Sequence, residues 1–276
     1  MKKKAAAAKD VEFIGGEEKA FIDGFLERGY AIIPLAQRER LDALRGRLYE
    51  EAMRLLGLSG ARRPSQDQFF DDTQKYVSVD KLNAFRLGLI EFLNRDERLR
   101  PDLFHMARRP IEWAIGNEIA MQRTINLSIQ LPKDDSSLLP LHSDVWSGNS
   151  PYEIVLWLPL VDCYRTKSMY LLPRRGSEKV LRRFKDFSAL NSEQLFKKIR
   201  PDLVWLDVPR GSAVLFTHSL LHGNRVNLEK TTRWGFNVRI KGLLTPYGIK
   251  ELGESFMPVI VRPATRIGFE HVEAER

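Results

Sequence analysis

The chain is nearly free of cysteine. Cys163 is the single one in 276 residues, so no internal disulfide can form and a disulfide-stapled scaffold is excluded. Such usage suits a reducing cytoplasm, and Cys163 itself reads as a small buried apolar residue. Long apolar runs are missing too, since no stretch approaches the roughly 18 apolar residues that a spanning helix needs. The opening Met1-Lys2-Lys3-Lys4 has the charge of a secretory leader, but Lys9, Asp10 and Glu12 interrupt it before an apolar core of about 7–15 residues can form. Residues 1–10 are expected to be a disordered tail. No internal repeat and no linker rich in Pro, Gly or Ser divides the remainder, so 11–276 reads as one domain located in the cytoplasm.

Charge of one sign is in excess. A net charge of +8 and a pI near 9.6 favour anionic partners: a phosphorylated or acidic sugar, a nucleotide-linked substrate, lipid head groups or nucleic acid. The excess is scattered, with local clusters at Arg174-Arg175, Arg182-Arg183 and Lys197-Lys198. The interleaving of aromatic and basic residues that marks a nucleic-acid platform is not present. A small-molecule partner is expected and nucleic acid is not; peripheral contact with lipid head groups stays open, and oligomeric state has no signature. A hydrophobic fraction of 43% is ample for a large core.

Apolar periodicity divides the chain. Residues 36–56 step by three and four through Leu41, Leu44, Leu48, Ala52 and Leu55, which predicts a helix ended by Gly57. Residues 62–75 are polar and read as a loop near the site. Residues 79–93 and 103–120 are further helical segments, so the part from about 17 to 120 is mainly helical. Strands follow. Residues 124–131 alternate strictly, with Ile125, Leu127, Ile129 and Leu131 on a core face and Thr124, Asn126, Ser128 and Gln130 on the other. That second face is polar yet uncharged, which suits the lining of a pocket. Further strands are expected at 152–161, 168–173, 204–208, 213–218 and 233–241, with a helical insertion at about 174–203. The fold class is mainly β with flanking helices: a double-stranded β-helix, or jelly roll, with amino-terminal helices packed on one sheet.

Histidine is scarce, five residues in all, and two stand in a telling pattern. His142 and Asp144 are two apart and share a face if extended; His222 lies eighty residues on, and Arg233 eleven beyond that. Two imidazoles and one carboxylate can occupy one face of an iron(II) ion and leave its other positions open. Arg233 offers a fixed fork for a carboxylate.

The segment Gly211-Ser212-Ala213-Val214-Leu215-Phe216-Thr217-His218-Ser219-Leu220-Leu221-His222-Gly223-Asn224 resembles the distal-histidine stretch of iron(II)/2-oxoglutarate oxygenases of the phytanoyl-CoA dioxygenase type. Gly29-Tyr30-Ala31-Ile32-Ile33-Pro34 is similar to the family's opening, and the resemblance covers about residues 21–241. The stretches Asn126-Leu127-Ser128-Ile129-Gln130 and Glu153-Ile154-Val155-Leu156-Trp157-Leu158-Pro159-Leu160-Val161-Asp162 resemble a subgroup associated with bacterial surface-carbohydrate biosynthesis. The resemblance implies Fe(II) held by His142, Asp144 and His222, with 2-oxoglutarate and O2 as cosubstrates. It implies Arg233 as the anchor of the 2-oxoglutarate tail, with Asn224, Trp157 and Gln130 beside it; for Trp157 an ordinary core position is the alternative. It also selects His222 over His218, because His222 precedes Gly223-Asn224 and has Arg233 at the family's spacing. Asn126, Ser128 and Arg239 are candidate substrate contacts. His105 and His271 have no motif around them.

One departure stands out: where many relatives read "PGSH", this chain has Pro173-Arg174-Arg175-Gly176-Ser177-Glu178. That region often borders the substrate, so substrate class is what the departure leaves open. The resulting expectation is a dioxygenase that hydroxylates a C–H bond of a small, anionic saccharide in surface-carbohydrate or lipopolysaccharide biosynthesis. The alternatives are the same chemistry on an acyl thioester or small metabolite, a nucleic-acid demethylase, and a non-catalytic carbohydrate-binding jelly roll. A halogenase is disfavoured, because Asp144 fills the position chloride would take.

Overall fold

The computed structural model describes residues 13–187 and 189–274; the tail expected over 1–10 lies outside them. α1 (Gly16–Arg28) leads into β1 (Tyr30–Pro34), followed by α2 (Arg38–Leu56). In α2 the leucines recur at helical spacing, and Leu41, Leu44, Leu48 and Ala52 are all buried. The helix ends at Gly57, whose φ of 63° turns its N–H back onto the carbonyls of Met53 and Arg54. Glycine takes that left-handed conformation without the clash a Cβ would bring.

Next come α3 (Gln66–Asp71), α4 (Val79–Arg95), α5 (Leu99–Met106) and α6 (Arg108–Ile115). Two expectations are corrected here. Residues 62–75 are not an open loop: Ser65 caps α3 by accepting from Gln68 N, and Phe69 and Phe70 are fully buried. The polar residues around that adjacent pair concealed a core anchor. The helix expected over 103–120 is two helices, and its last residues belong to β2 (Ile119–Gln122) after a break at Gly116.

β3 (Asn126–Gln130), β4 (Glu153–Pro159) and β5 (Tyr170–Leu171) precede the helical insertion, which forms α7 (Arg174–Arg182), α8 (Phe184–Phe187) and α9 (Ser192–Ile199). β6 (Val204–Trp205), β7 (Ser212–Thr217), β8 (His222–Gly223), β9 (Arg233–Gly242), β10 (Phe256–Ile260) and α10 (Pro263–Ala274) complete the chain. Among the described residues the larger sheet has seven strands in the order β1-β7-β4-β9-β2-β10, with β3 also paired to β9. The smaller sheet runs β6-β5-β8. Tyr170 and Trp205 of that sheet join a separate apolar cluster with Leu141, Leu172, Phe196 and Leu221, whereas Leu171 and Val204 pack into the main core.

β9 organises the larger sheet. Trp234, Phe236, Val238 and Ile240 are wholly buried on its outer face. Trp234 meets the rings of Phe69, Phe70 and Phe85, which come from the amino-terminal helices, and its Nε1 donates to Thr73 Oγ1 at 2.9 Å. The inner face carries Arg233, Gly235, Asn237, Arg239 and Lys241, because successive strand residues point to opposite sides. Register places Gln130 opposite Arg233, Asn126 and Trp157 opposite Asn237, and Val155 opposite Arg239. A polar interior face thus backs onto an apolar exterior one. No helix among the described residues is long and apolar enough to cross a membrane.

Phe70→Ala should lower stability by about 3–5 kcal/mol, since the ring is fully enclosed and its neighbours cannot collapse into the space. Leu26→Ala, at a position 56% exposed, should change it by no more than about 0.5 kcal/mol. Urea unfolding of both variants measures the contrast, and equal losses would show that the aromatic cluster under β9 is not the anchor described.

Candidate metal centre and its cavities

His142 and His222 face each other across an isolated antiparallel bridge. His142 N donates to His222 O at 3.0 Å, and His222 N donates to His142 O at 2.9 Å. This exchange brings the ring centroids to 4.3 Å. Each ring also contacts the carbonyl two residues earlier through Nδ1, at 2.8 Å to Pro140 O and 2.9 Å to Leu220 O. A carbonyl can only accept, so both protons sit on Nδ1 and both Nε2 atoms present lone pairs.

Those lone pairs point toward Asp144, which is 5% exposed. His142 Nε2 lies 4.0 Å from Asp144 Oδ1, and His222 Nε2 lies 3.9 Å from Oδ2. One ligand atom from each of the three residues lies within 4.8 Å of the others, and no other such group exists among the described residues. Burial works against charge on Asp144, but His222, His218 and Arg239 more than offset it and hold the carboxyl below its ordinary range. Arg239 Nη2 donates to Asp144 Oδ1 at 3.0 Å. Burial presses His222 down to about 4. Two imidazole nitrogens and a carboxylate therefore converge, a donor set that fits a divalent transition-metal ion.

His218 stands outside that set. It is fully buried, with Nε2 3.8 Å from Asp144 Oδ2 and Nδ1 3.3 Å from Glu153 Oε2. Burial lowers the imidazole to about 3 and raises the Glu153 carboxyl, so it works against charge on both where they meet behind Asp144.

Two cavities flank the three residues. The first, about 350 Å³, is lined by Asn126, Ser128, Trp157, His222, Asn224 and Arg233 among others. The Arg233 side chain is buried, its single described hydrogen bond goes to Ser128 Oγ at 3.3 Å, and no carboxylate among the described residues pairs with it. Burial lowers its pKa. A buried guanidinium without a counter-charge is costly unless an anion joins it. The second cavity, about 320 Å³, holds His142, Asp144, Asn149, Arg239 and Lys250, and shares Leu139, His222 and Asn237 with the first.

Other sequence candidates are placed as follows. Asn224 lines the first cavity, but its Oδ1 accepts from Leu139 N at 2.5 Å and its Nδ2 donates to Ser137 O at 3.3 Å, so it braces the 137–139 loop. Gln130 is fully buried, donates to Arg225 O at 2.8 Å, and lines neither cavity. Arg225 pairs with Glu193 of the insertion and stacks over Phe196, which removes it as a free charge. Cys163 is buried and unpaired, its thiol pushed up to about 12 by burial. Asn149, Glu153, Asn237 and Lys250 were not anticipated. The alternate residues of 233–241, all glycine or polar against an apolar partner face, were the signal for Asn237.

No family model matches the chain, and no curated protein sequence does. Solved structures do resemble it. The apo form of ThoJ, a non-haem monooxygenase, aligns with a TM-score of 0.58 at 14% identity, covering 88% of this chain and 84% of that one. Its nickel complex gives 0.56 at 15%, covering 89% and 85%. Iron-bound HygX from Streptomyces hygroscopicus gives 0.50 at 14%, covering 88% and 92%. At these identities the likeness is one of fold: the chain has the architecture of non-haem metal oxygenases.

The buried pair at His218 and Glu153, with His222, sets the acid behaviour of the metal-free protein. A histidine whose folded pKa is depressed takes up its proton first on unfolding, so its contribution is lost as pH falls below about 6.5. A raised carboxyl acts in the opposite sense. The two depressed histidines make stability slope downward as pH falls through about 6.5, and the raised Glu153 carboxyl opposes part of that loss. Glu153→Gln should steepen that slope. Chemical denaturation at a series of pH values reads it, and a flat profile below about pH 6.5 would contradict the depressed histidines.

Proposed function

We propose that this protein is an Fe(II)- and 2-oxoglutarate-dependent dioxygenase that hydroxylates a C–H bond of a small, anionic saccharide. The observation that carries the cosubstrate reading is Arg233: a buried guanidinium with no carboxylate partner among the described residues, facing a cavity that also reaches His222. The two sheets are read as halves of a double-stranded β-helix, and the part from 11 to 276 as one catalytic domain located in the cytoplasm. Iron held by His142, Asp144 and His222 would supply the oxidation in which 2-oxoglutarate and O2 yield succinate, CO2 and the hydroxylated substrate.

The chain's own residues divide the remaining work. His142 and His222 keep their Nε2 lone pairs forward because Pro140 and Leu220 carbonyls hold the opposite nitrogens. Arg239 fixes one oxygen of Asp144 and so restricts how that carboxylate can turn. Arg233 receives the distal carboxylate of the cosubstrate, with Ser128 beside it. Trp157 and Met169 supply apolar wall that limits water. Asn126 and Ser128 line the first cavity, and Asn237, which borders both, continues their polar uncharged surface into the second, where it suits a hydroxyl-rich ligand whose groups need partners once desolvated. The likeness of 126–130 and 153–162 to surface-carbohydrate enzymes points the same way.

His142→Ala, Asp144→Ala and His222→Ala should each abolish iron retention and turnover, whereas His218→Ala should keep the bound iron. Metal content after gel filtration decides this, and loss of iron in His218→Ala with retention in His222→Ala would reverse the assignment. Arg233→Lys should raise the half-saturating 2-oxoglutarate concentration tenfold to a hundredfold, the equivalent of about 1.5–3 kcal/mol for a charge-assisted contact. An unchanged requirement in Arg233→Ala would remove Arg233 from this role. For substrate, succinate release and oxygen incorporation should rise in equal amount with a phosphorylated or nucleotide-linked sugar. Stimulation by an acyl thioester and by no saccharide would refute the carbohydrate reading alone.

A further inference from the structure

The second cavity has a cationic wall that the metal and cosubstrate do not use. A strap over residues 246–250 crosses the 148–150 turn: Ile249 N donates to Gly148 O at 3.1 Å, and the Pro246 carbonyl accepts from Ser150 Oγ at 2.6 Å and from Lys241 Nζ at 2.7 Å. The crossing is close enough that a Cβ on Gly248 would lie 2.4 Å from Gly148 O. Gly148 itself has φ 77° and abuts Ile249. The strap thereby carries Lys250 to the cavity that contains Asp144, Asn149 and Arg239.

The charges there do not balance. Arg239 is met by Asp144 at 3.0 Å. Glu153, the other nearby acid, is kept toward its neutral form by burial. Lys250 forms no ion pair with any described residue, and burial together with Arg239 lowers its pKa. Two further groups lack partners. Asn149 is 4% exposed and donates to Asp144 O, yet its Oδ1 accepts from no described residue. Arg239 Nε is buried and donates to no described residue. Buried polar atoms left without partners in this way are uncommon, and both border the same space. Val155 and Phe216 form its apolar side.

We infer that this cavity is the substrate chamber, and that Lys250, with Arg239 behind it, receives an acid group of a hydroxyl-bearing substrate while Asn149 Oδ1 accepts from one of its hydroxyls. The inference rests on the oxygenase reading for the meaning of "substrate" and deepens it by placing the negative group on the Asp144 side, away from Arg233. The acid oxygens can belong to a phosphoryl or a carboxylate group, since both meet an ammonium and a guanidinium in the same manner. An ion held by the three ligands would add positive charge to the chamber and strengthen the attraction.

The test is calorimetric and needs no turnover. Protein loaded with nickel and saturated with 2-oxoglutarate, so that Arg233 is engaged, is titrated with inorganic phosphate and separately with acetate. At least one should bind with a stoichiometry of one; which one binds tells the phosphoryl from the carboxylate source. Affinity should fall tenfold or more in Lys250→Ala and stay within threefold in Lys250→Arg, while Arg86→Ala, in the wall of the first cavity, should leave it unchanged. Equal affinity in Lys250→Ala, displacement of the anion by 2-oxoglutarate, or binding of neither anion would each overturn the inference. Binding of 2-oxoglutarate is recorded first in the same instrument. Its failure would defeat the proposed function, while titrating the anions into the nickel-loaded protein would still decide the role of Lys250.

Discussion

The paired backbone hydrogen bonds between His142 and His222 are the constraint on which the candidate centre depends. They set the two rings side by side before any ion arrives, and the carbonyls of Pro140 and Leu220 then fix which nitrogen of each is free. Without that exchange the histidines would lie on separate segments with independent rotamers, and a ligand set would have to be assembled at an entropic cost. Preorganisation of this kind makes affinity a property of the fold rather than of the three side chains alone.

The larger sheet extends the same logic. β9 presents aromatic and aliphatic residues to the helices and a row of polar ones to the interior, so the packing that stabilises the strand also aims Arg233 and Arg239 at opposite ends of the site. The two arginines have different electrostatic circumstances. Arg239 is engaged by a protein carboxylate, and Arg233 by none among the described residues. Gly235 lies between them, where a Cβ would come within 3.2 Å of Trp157 Nε1; its lack of a side chain leaves that space to the indole.

Much of this was legible in the sequence, and for definite reasons. That His142, Asp144 and His222 would converge could be read from the sequence because metal chemistry restricts residue type and their order along the chain is simple. The strict alternation of 124–131 gave away both faces of β3. The helices over 38–56 and 79–95 followed from leucine spacing. What stayed hidden depended on distant partners. Phe69 and Phe70 looked like part of a polar loop because Trp234, which buries them, is more than 160 residues away. Gln130 shares a strand face with Ser128 but ends against Arg225 O, a contact no local pattern encodes. Lys250 is an ordinary lysine in a turn until the Gly148–Gly248 crossing places it beside Asp144.

The centre also straddles two hydrophobic cores. Leu141 and Leu221, each immediately before a histidine of the candidate centre, belong to the smaller cluster with Tyr170 and Phe196, whereas Asp144 is tied through Arg239 to the sheet of the larger one. Each core can loosen as a cooperative unit with its own free energy of opening. An ion shared among the three residues would span the seam between these units and bind only when they are docked, acting there as a rivet. Metal occupancy and the integrity of the smaller core are then linked quantities: loosening around Tyr170 and the insertion would release the ion, and the ion in turn would hold that part of the chain in register.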